Sequence, residues 1–246
     1  MTPIYAVGDV HGHAEELDRI LALIDADGGE SAKVVFVGDY IDRGPDSRGV
    51  IDRLIDGKAN GKNWTTLKGN HDRLFEWFME DEPRHDPHML IGYHWFHERI
   101  GGRETVQSYG LETGAGKRIK ELHAEARDAI PREHVAFLRN LELSFETDTL
   151  FFCHAGIRPE VPLDAQDEED LVWIRQEFHD YLDPHPKLIV HGHTPVKAAK
   201  HYGNRVNLDS GAGFGDPMSV CLFEGEDVWS LTNKGRVLLE PVFSLS

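Results

Sequence analysis

Five times along this chain a short apolar run ends at a glycine or another small residue, and Asp, Asn or His follows within a few positions. Asp9 and His11 follow "PIYAV", and Asp39 follows "VVFV". Asn70 and His71 follow "NWTTLKG", His154 follows "DTLFFC", and His191 and His193 follow "KLIV". Short runs rich in β-branched and aromatic residues, bounded by glycine, read as buried strands. In open α/β sheets, sites form beyond the carboxyl ends of the strands. One polar loop of this kind is satisfied by a local ion pair. Five, all carrying oxygen or imidazole groups, are not explained as unrelated solvated loops. Gly8, Gly12, Gly38, Gly69 and Gly192 fit the same reading, because backbones crowding one site leave little room for side chains.

The intervening segments complete an α/β pattern. Leu17, Ile20, Leu21 and Ile24 recur at helical spacing and predict a helix from Ala14 to Ile24. A strand follows at Val34–Val37, then an amphipathic helix "SRGVIDRLIDG" that Gly57 is expected to stop. "NWTTLKGNHD" is a strand and turn, and "RLFEWFM" begins another helix. Residues 81–130 are irregular, with a charged helical stretch. "DTLFFCHAGI", "KLIVHGHTPV" and "RVNLDSGAG" give three more strand-to-loop transitions, and "SVCLFEGEDVWSLT" reads as paired strands. No composition break marks a linker, so residues 1–246 are expected to form one domain.

The residue types specify the chemistry. Mixed Asp, His and Asn groups without thiolates suit Mn²⁺, Fe²⁺ or Zn²⁺. They outnumber what one ion with an open position needs. A shared carboxylate would let them hold two ions about 3.5–4 Å apart, an arrangement used in phosphoester hydrolysis. His191 and His193 lie two apart, so on a strand end both could face the site. The run "DAQDEED" (Asp164–Asp170) lacks the spacing of a calcium loop and reads as a solvated acidic loop. His85, His88, His94 and His97 surround Trp95 and Phe96 and read as a lid or a substrate-facing wall rather than a metal cluster.

With 26 basic and 43 acidic residues the formal charge is −17. That opposes nonspecific attraction to nucleic acid or an anionic membrane. An anionic substrate must then meet a local positive centre. No segment is long and apolar enough to span a bilayer. "MTPIYAVGDV" enters a strand with no basic or apolar leader region, and a cytoplasmic location is expected. Cys153 and Cys221 are no disulfide framework. Cys153 also lacks the arginine six positions on that a cysteine-dependent phosphatase loop requires, since Pro159 stands there.

"GDVHG", "GDYIDRG", "GNHD", "CHAGIRP" and "HGHTP", in this order, resemble the PPP family of metallophosphoesterases, which includes Ser/Thr protein phosphatases and symmetrical diadenosine tetraphosphate hydrolases. The resemblance covers roughly Ile4 to Asp216, and "GGRETVQSYG" and "LVWIRQEF" are similar to the small bacterial members. It implies a calcineurin-like fold, two mixed β-sheets packed as a sandwich and flanked by helices. It implies that Asp9 and His11 hold a first metal, that Asp39 bridges both, and that Asn70, His154 and His193 complete the second. His71 would be the general acid, paired with Asp42. Arg43 and Arg175 would grip the phosphate, with Asn70 also at the substrate. The ions would be two divalent metals per chain, Mn²⁺ before Fe or Zn, and hydroxide held between them would attack phosphorus.

Two departures bear on substrate. "GNHD" replaces the GNHE usual in eukaryotic-type protein phosphatases, whereas Asp42 is a residue the dinucleotide hydrolases usually lack. No stretch of aromatic and basic residues is dedicated to an adenine base. The expected function is therefore hydrolysis of phosphomonoesters, phosphoserine and phosphothreonine proteins first and phosphotyrosine included. Symmetrical hydrolysis of diadenosine tetraphosphate is the alternative, and a non-catalytic phosphoprotein binder a second one, disfavoured by the intact His71 and Asp42.

Overall fold

All four residues of β1 (Ile4–Val7) are buried, because both faces of this strand are covered. Alternation along the strand sends Tyr5 and Val7 toward α1 (Ala14–Gly28) and α2 (Ser47–Ala59), and Ile4 and Ala6 toward a second sheet. A strand covered twice reads as a continuous apolar run. In the first sheet, β2 (Lys33–Phe36) pairs with β1 and β3 (Trp64–Thr66) with β2, both in parallel. On the other side of β1 lie β9 (Val220–Glu224), β10 (Asp227–Thr232) and β11 (Gly235–Leu238), all antiparallel. The expected paired strands near the end of the chain are β9 and β10.

The second sheet contains β4 (Ser144–Glu146), β5 (Leu150–Cys153), β6 (Leu188–His191), β7 (Lys200–His201) and β8 (Arg205–Asn207), in the order β4-β5-β6-β8-β7. Its central strands β5, β6 and β8 are parallel and its edges antiparallel. Val35, Val37, Leu67, Phe152, Val190, Val206 and Phe223 fill the space between the sheets. The outer face of the first sheet is covered by α1 and α2, with α3 (Asn70–Phe78), α5 (Ile119–Ala129) and α6 (Arg132–Arg139). The outer face of the second is covered by α7 (Glu168–Trp173) and α8 (Gln176–His179), through Leu171, Ile174 and Phe178. This computed structural model describes residues 2–114 and 116–242. The two mixed sheets and their helices are the α/β sandwich that the sequence predicts.

Four boundaries differ from the sequence reading. α1 continues past Ile24 to Gly28, and β2 ends at Phe36. The acidic run is largely solvated but is not a loop: it forms a short 3-10 turn, Leu163–Ala165, and the first turn of α7, where carboxylates complement the positive end of the helix. α2 runs through Gly57 to Ala59. Glycine is there for space, since a Cβ would stand 1.9 Å from the Trp64 ring, which is itself packed on Phe36. Among the described residues no helix is long and apolar enough to cross a membrane.

Gly57 supports a quantitative test. Glycine-to-alanine in a helix interior ordinarily stabilises by about 1 kcal/mol, whereas overpacking a fitted contact costs about 1–3 kcal/mol. Gly57→Ala should therefore lose up to about 2 kcal/mol of unfolding free energy in urea titration. A gain in stability would show that Trp64 yields.

Candidate metal centre

The strand mouths of both sheets converge. Asp9 and His11 leave β1, Asp39 leaves β2, Asn70 and His71 open α3 just beyond β3, His154 follows β5 and His193 follows β6. All seven are buried. Asp39 stands between them. Its Oδ2 lies 3.5 Å from His11 Nε2 and 4.0 Å from His71 Nε2. Its Oδ1 lies 3.4 Å from His154 Nε2 and accepts the His71 backbone N–H at 3.0 Å. Asn70 Oδ1 is 3.0 Å from His154 Nε2 and 2.8 Å from His193 Nδ1. The donor atoms thus fall into two groups that share Asp39: His11, Asp39 and His71, and Asp39, His154 and His193.

Asp9 stands apart from both groups. Its carboxylate accepts the His193 backbone N–H at 3.2 Å, and a Cβ on Gly192 would meet it at 2.0 Å, which is why glycine separates the two histidines. His191 is turned away, its ring edge-on to Phe178 with 5.0 Å between centres. Arg175 precedes α8 and donates to Thr194 Oγ1 at 3.2 Å, and its charge acts on His71 and His193. Glu177 faces Arg158 instead, at 3.8 Å.

The donors fit metal ions. His11 directs Nδ1 to the Ile41 carbonyl and His154 directs Nδ1 to the Val37 carbonyl, so each ring offers Nε2 to the centre. A second hydrogen bond of this kind fixes tautomer and orientation in metal-bound histidines. Burial, above all, holds His11 and His193 well below the usual imidazole range, leaving their lone pairs free. Burial also works against the Asp39 charge, but His154 and His71 outweigh it and the carboxyl lies well below the usual range. Asp9 is pushed well up by burial and then by Asp209, and Asp72 is pushed up to about 8 by burial and then by Asp39. His154 rises to about 9, because Asp39, Asp9 and Asp72 overcome its burial. Four buried carboxyls around one centre are an excess of acidic groups that divalent cations neutralise.

Backbone strain concentrates at the same place. Six non-glycine residues among those described have positive φ, and five of them are His11, Asp39, Asp42, Arg43 and His193. Such conformations cost of order 1–3 kcal/mol each and persist where the surroundings over-determine them.

Behind the centre, Asp42 Oδ2 lies 2.7 Å from His71 Nδ1. The same carboxyl accepts from Trp95 Nε1 at 2.9 Å and Thr105 Oγ1 at 2.7 Å. Burial pushes Asp42 up to about 8, against the Thr105 and Trp95 donors, and pushes His71 down to about 3. Arg43 reaches His11 Nε2 at 2.9 Å and His71 Nε2 at 3.0 Å. Gly101 accepts the Arg43 backbone N–H, so the 81–130 segment supports both residues of the turn. Trp95 and Phe96 are buried core, His97 stacks on Tyr93, and His88 stacks on Trp173. Thr105 lies in α4 (Gly102–Ser108).

The model of the calcineurin-like phosphoesterases matches residues 2–220. The chain belongs to this family. It is a metallophosphoesterase, a class of phosphoester hydrolases that use divalent metals. A relative from Oceanobacillus iheyensis, the asymmetrical bis(5'-nucleosyl)-tetraphosphatase PrpE, is 25% identical over 95% of this chain and 94% of its own. A protein of the same name from Bacillus thuringiensis is 26% identical over 88% of this chain and 89% of its own. Among solved structures, one described provisionally as a diadenosine tetraphosphatase superposes with a TM-score of 0.64 at 21% identity, covering 97% of this phosphoesterase and 94% of that chain. A cold-active protein-tyrosine phosphatase of a psychrophilic Shewanella species gives 0.61 at 15% identity, over 98% and 81%, a likeness of fold.

Sequence reasoning missed four supporting residues. Asp72 accepts the backbone N–H groups of Asp39, Tyr40 and Gly69, tying the β2 and β3 mouths together; an acidic residue in the first turn of a helix, three after the glycine that precedes it, is the local signal for such a bond. Asp209, after β8, adds the fourth carboxyl, and "NLDSG" has the form of the other mouths. Trp95 and Thr105 carry no local signal.

Because Asp39 presents one oxygen to each donor group, its removal tests both at once. The purified protein should hold close to two divalent ions per chain, and Asp39→Asn should lower occupancy of both positions in elemental analysis. One ion per active chain, unchanged in the variant, would refute the shared-carboxylate arrangement.

Proposed function

We propose that this phosphoesterase hydrolyses dinucleoside tetraphosphates, and does so asymmetrically, releasing a nucleoside triphosphate and a nucleoside monophosphate. The observation that carries this reading is the name borne by relatives matched over nearly the whole of both chains. It reverses the order of the two substrate classes expected from the sequence, and asymmetrical cleavage replaces the symmetrical one. The cleft chemistry suits a polyanion, since Arg43 and Arg175 are cations beside the centre of a chain of charge −17.

Two divalent ions, Mn²⁺ before Fe or Zn, would be held by Asp9, His11 and Asp39 and by Asp39, Asn70, His154 and His193, and would supply water activation and charge neutralisation. Arg43 and Arg175 would orient the phosphate chain and balance charge on the equatorial oxygens of the phosphoryl group under attack. Asn70 would add a contact there. His71 Nε2 faces the same space and, once Arg43 turns to the bound phosphate and the added negative charge favours the protonated ring, would hand a proton to the departing oxygen, with Asp42 fixing the ring through Nδ1. Cys153 has no part in this: it is fully buried, and burial pushes its thiol pKa up.

A second reading is hydrolysis of phosphomonoesters, including phosphoserine and phosphothreonine proteins. The observation that favours it is the acid itself. Asp42, Trp95 and Thr105 hold His71 in one orientation, and an alkoxide leaving group needs that proton far more than a phosphate leaving group does.

The reaction products decide between the readings. Diadenosine tetraphosphate should give ATP and AMP on ion-exchange chromatography, faster than phosphoserine peptide gives phosphate. ADP as the sole product, two per substrate, would make cleavage symmetrical, and turnover of the peptide alone would install the second reading.

His71→Asn should slow a phosphoserine peptide by about 10²–10⁴-fold, the usual worth of a general acid. It should slow diadenosine tetraphosphate and p-nitrophenyl phosphate much less, since their leaving groups are weaker bases than an alkoxide and depend less on that proton. Equal losses on all three, with both metals retained, would remove His71 from the role of proton donor.

A further inference from the structure

Phe214 ends the 3-10 turn Ala212–Phe214 that follows β8. It is 69% exposed, the only aromatic residue among the large exposed hydrophobic side chains of the described residues. A single exposed apolar side chain is ordinary; the position of this one is not. Its ring centre lies 4.8 Å from Arg43 Cζ. The same guanidinium reaches His11 and His71. The turn is pressed onto the centre at Gly213, where a Cβ would stand 2.6 Å from the His11 ring and 2.7 Å from Arg43 Nη1. Gly211 and Gly215 bracket it in left-handed conformations, φ 87° and 91°, and Ala212 is anchored in the core. The backbone is thus built to hold a large flat ring at the rim, one side toward the phosphate-facing cation and the rest toward solvent. Beside the turn, a cavity of about 650 Å³ is lined by His13, Lys197, Ser210, Gly215, Asp216 and Pro217.

We propose that Phe214 is a stacking platform for a nucleobase whose phosphates are held at Arg43, with the adjoining cavity taking the nucleoside. This rests on the dinucleotide reading and adds a base-recognition subsite to it. The sequence shows no aromatic-and-basic stretch for a base, because ring and cation come from distant segments and meet only in the fold. Stacking also explains why the ring is left open. A phenyl ring serving only to steady Arg43 gains nothing from an exposed face, whereas a platform needs one. Every base has a π-face, so the subsite should tolerate adenine and guanine alike.

The test compares ligands that differ only by the nucleoside. Calorimetric titration of the metal-loaded protein with ADP and with inorganic pyrophosphate, in wild type, Phe214→Ala and Phe214→Trp, isolates the base. Phe214→Ala should weaken ADP about 5- to 20-fold, the lower part of the range for losing one base–aromatic stack, and move pyrophosphate less than twofold. Phe214→Trp should restore ADP. For diadenosine tetraphosphate the loss should appear in KM rather than kcat. Equal weakening of ADP and pyrophosphate would make the ring a mere support for Arg43 and overturn the proposal, as would no change in either. Failure of the substrate reading looks different: wild-type protein that leaves diadenosine tetraphosphate intact, yet whose preference for ADP over pyrophosphate vanishes in Phe214→Ala, keeps the platform and removes the tetraphosphatase.

Discussion

The Asp39 carboxylate is the constraint around which the rest of the site is arranged. It is buried, ionised, and turned so that one oxygen faces His11 and His71 and the other faces His154. An isolated buried charge is costly unless it is paired and hydrogen-bonded. Here three histidines and the His71 backbone N–H surround it. Asp9, Asp72 and Asp209 crowd the same volume; burial first, then Asp209 acting on Asp9 and Asp39 acting on Asp72 and Asp209, pushes their pKa values up. Carboxyls gathered this way oppose folding on their own, and left-handed backbone at five site residues adds to that cost. The sandwich meets it with a core covered on both faces of the first sheet and a clamp, Asp72, that holds two strand mouths together.

The centre and its proton donor are supported from different directions. The metal-type donors come from strand ends of both sheets, rigid because those strands are buried. The Asp42–His71 pair is fixed instead by Trp95 and Thr105, which the 81–130 segment carries to the far side of the Asp42 turn. That segment therefore sets the orientation of His71 through Asp42. Change in the segment can alter the orientation of His71 while the donor set stays intact.

The strand mouths were legible because a strand covered twice is a continuous apolar run, and its ligands follow in the next few residues. The sandwich followed from the same runs. Local rules failed where tertiary contact overrode them. Gly57 reads as a helix stop, but it is the gap that admits Trp64. "DAQDEED" reads as a loop, yet its carboxylates start α7. Trp95 and Thr105 meet Asp42 across more than fifty residues, and Phe214 meets Arg43 from farther still, so neither contact leaves a periodicity or a motif. Substrate preference was the least legible, since it turns on what surrounds the phosphate rather than on what holds the metals.

The central claim is that the buried carboxylates and imidazoles form a site completed by divalent cations, which take the place of the proton His154 otherwise holds. Thermal unfolding of chelator-stripped protein with and without Mn²⁺ tests it directly. A site filled at 100 times its dissociation constant adds about 2.7 kcal/mol, which at this chain length raises Tm by about 5–10 °C. The shift should be lost in Asp39→Asn. A wild-type Tm indifferent to Mn²⁺, Fe²⁺ and Zn²⁺ alike, or a full shift retained by Asp39→Asn, would contradict the account.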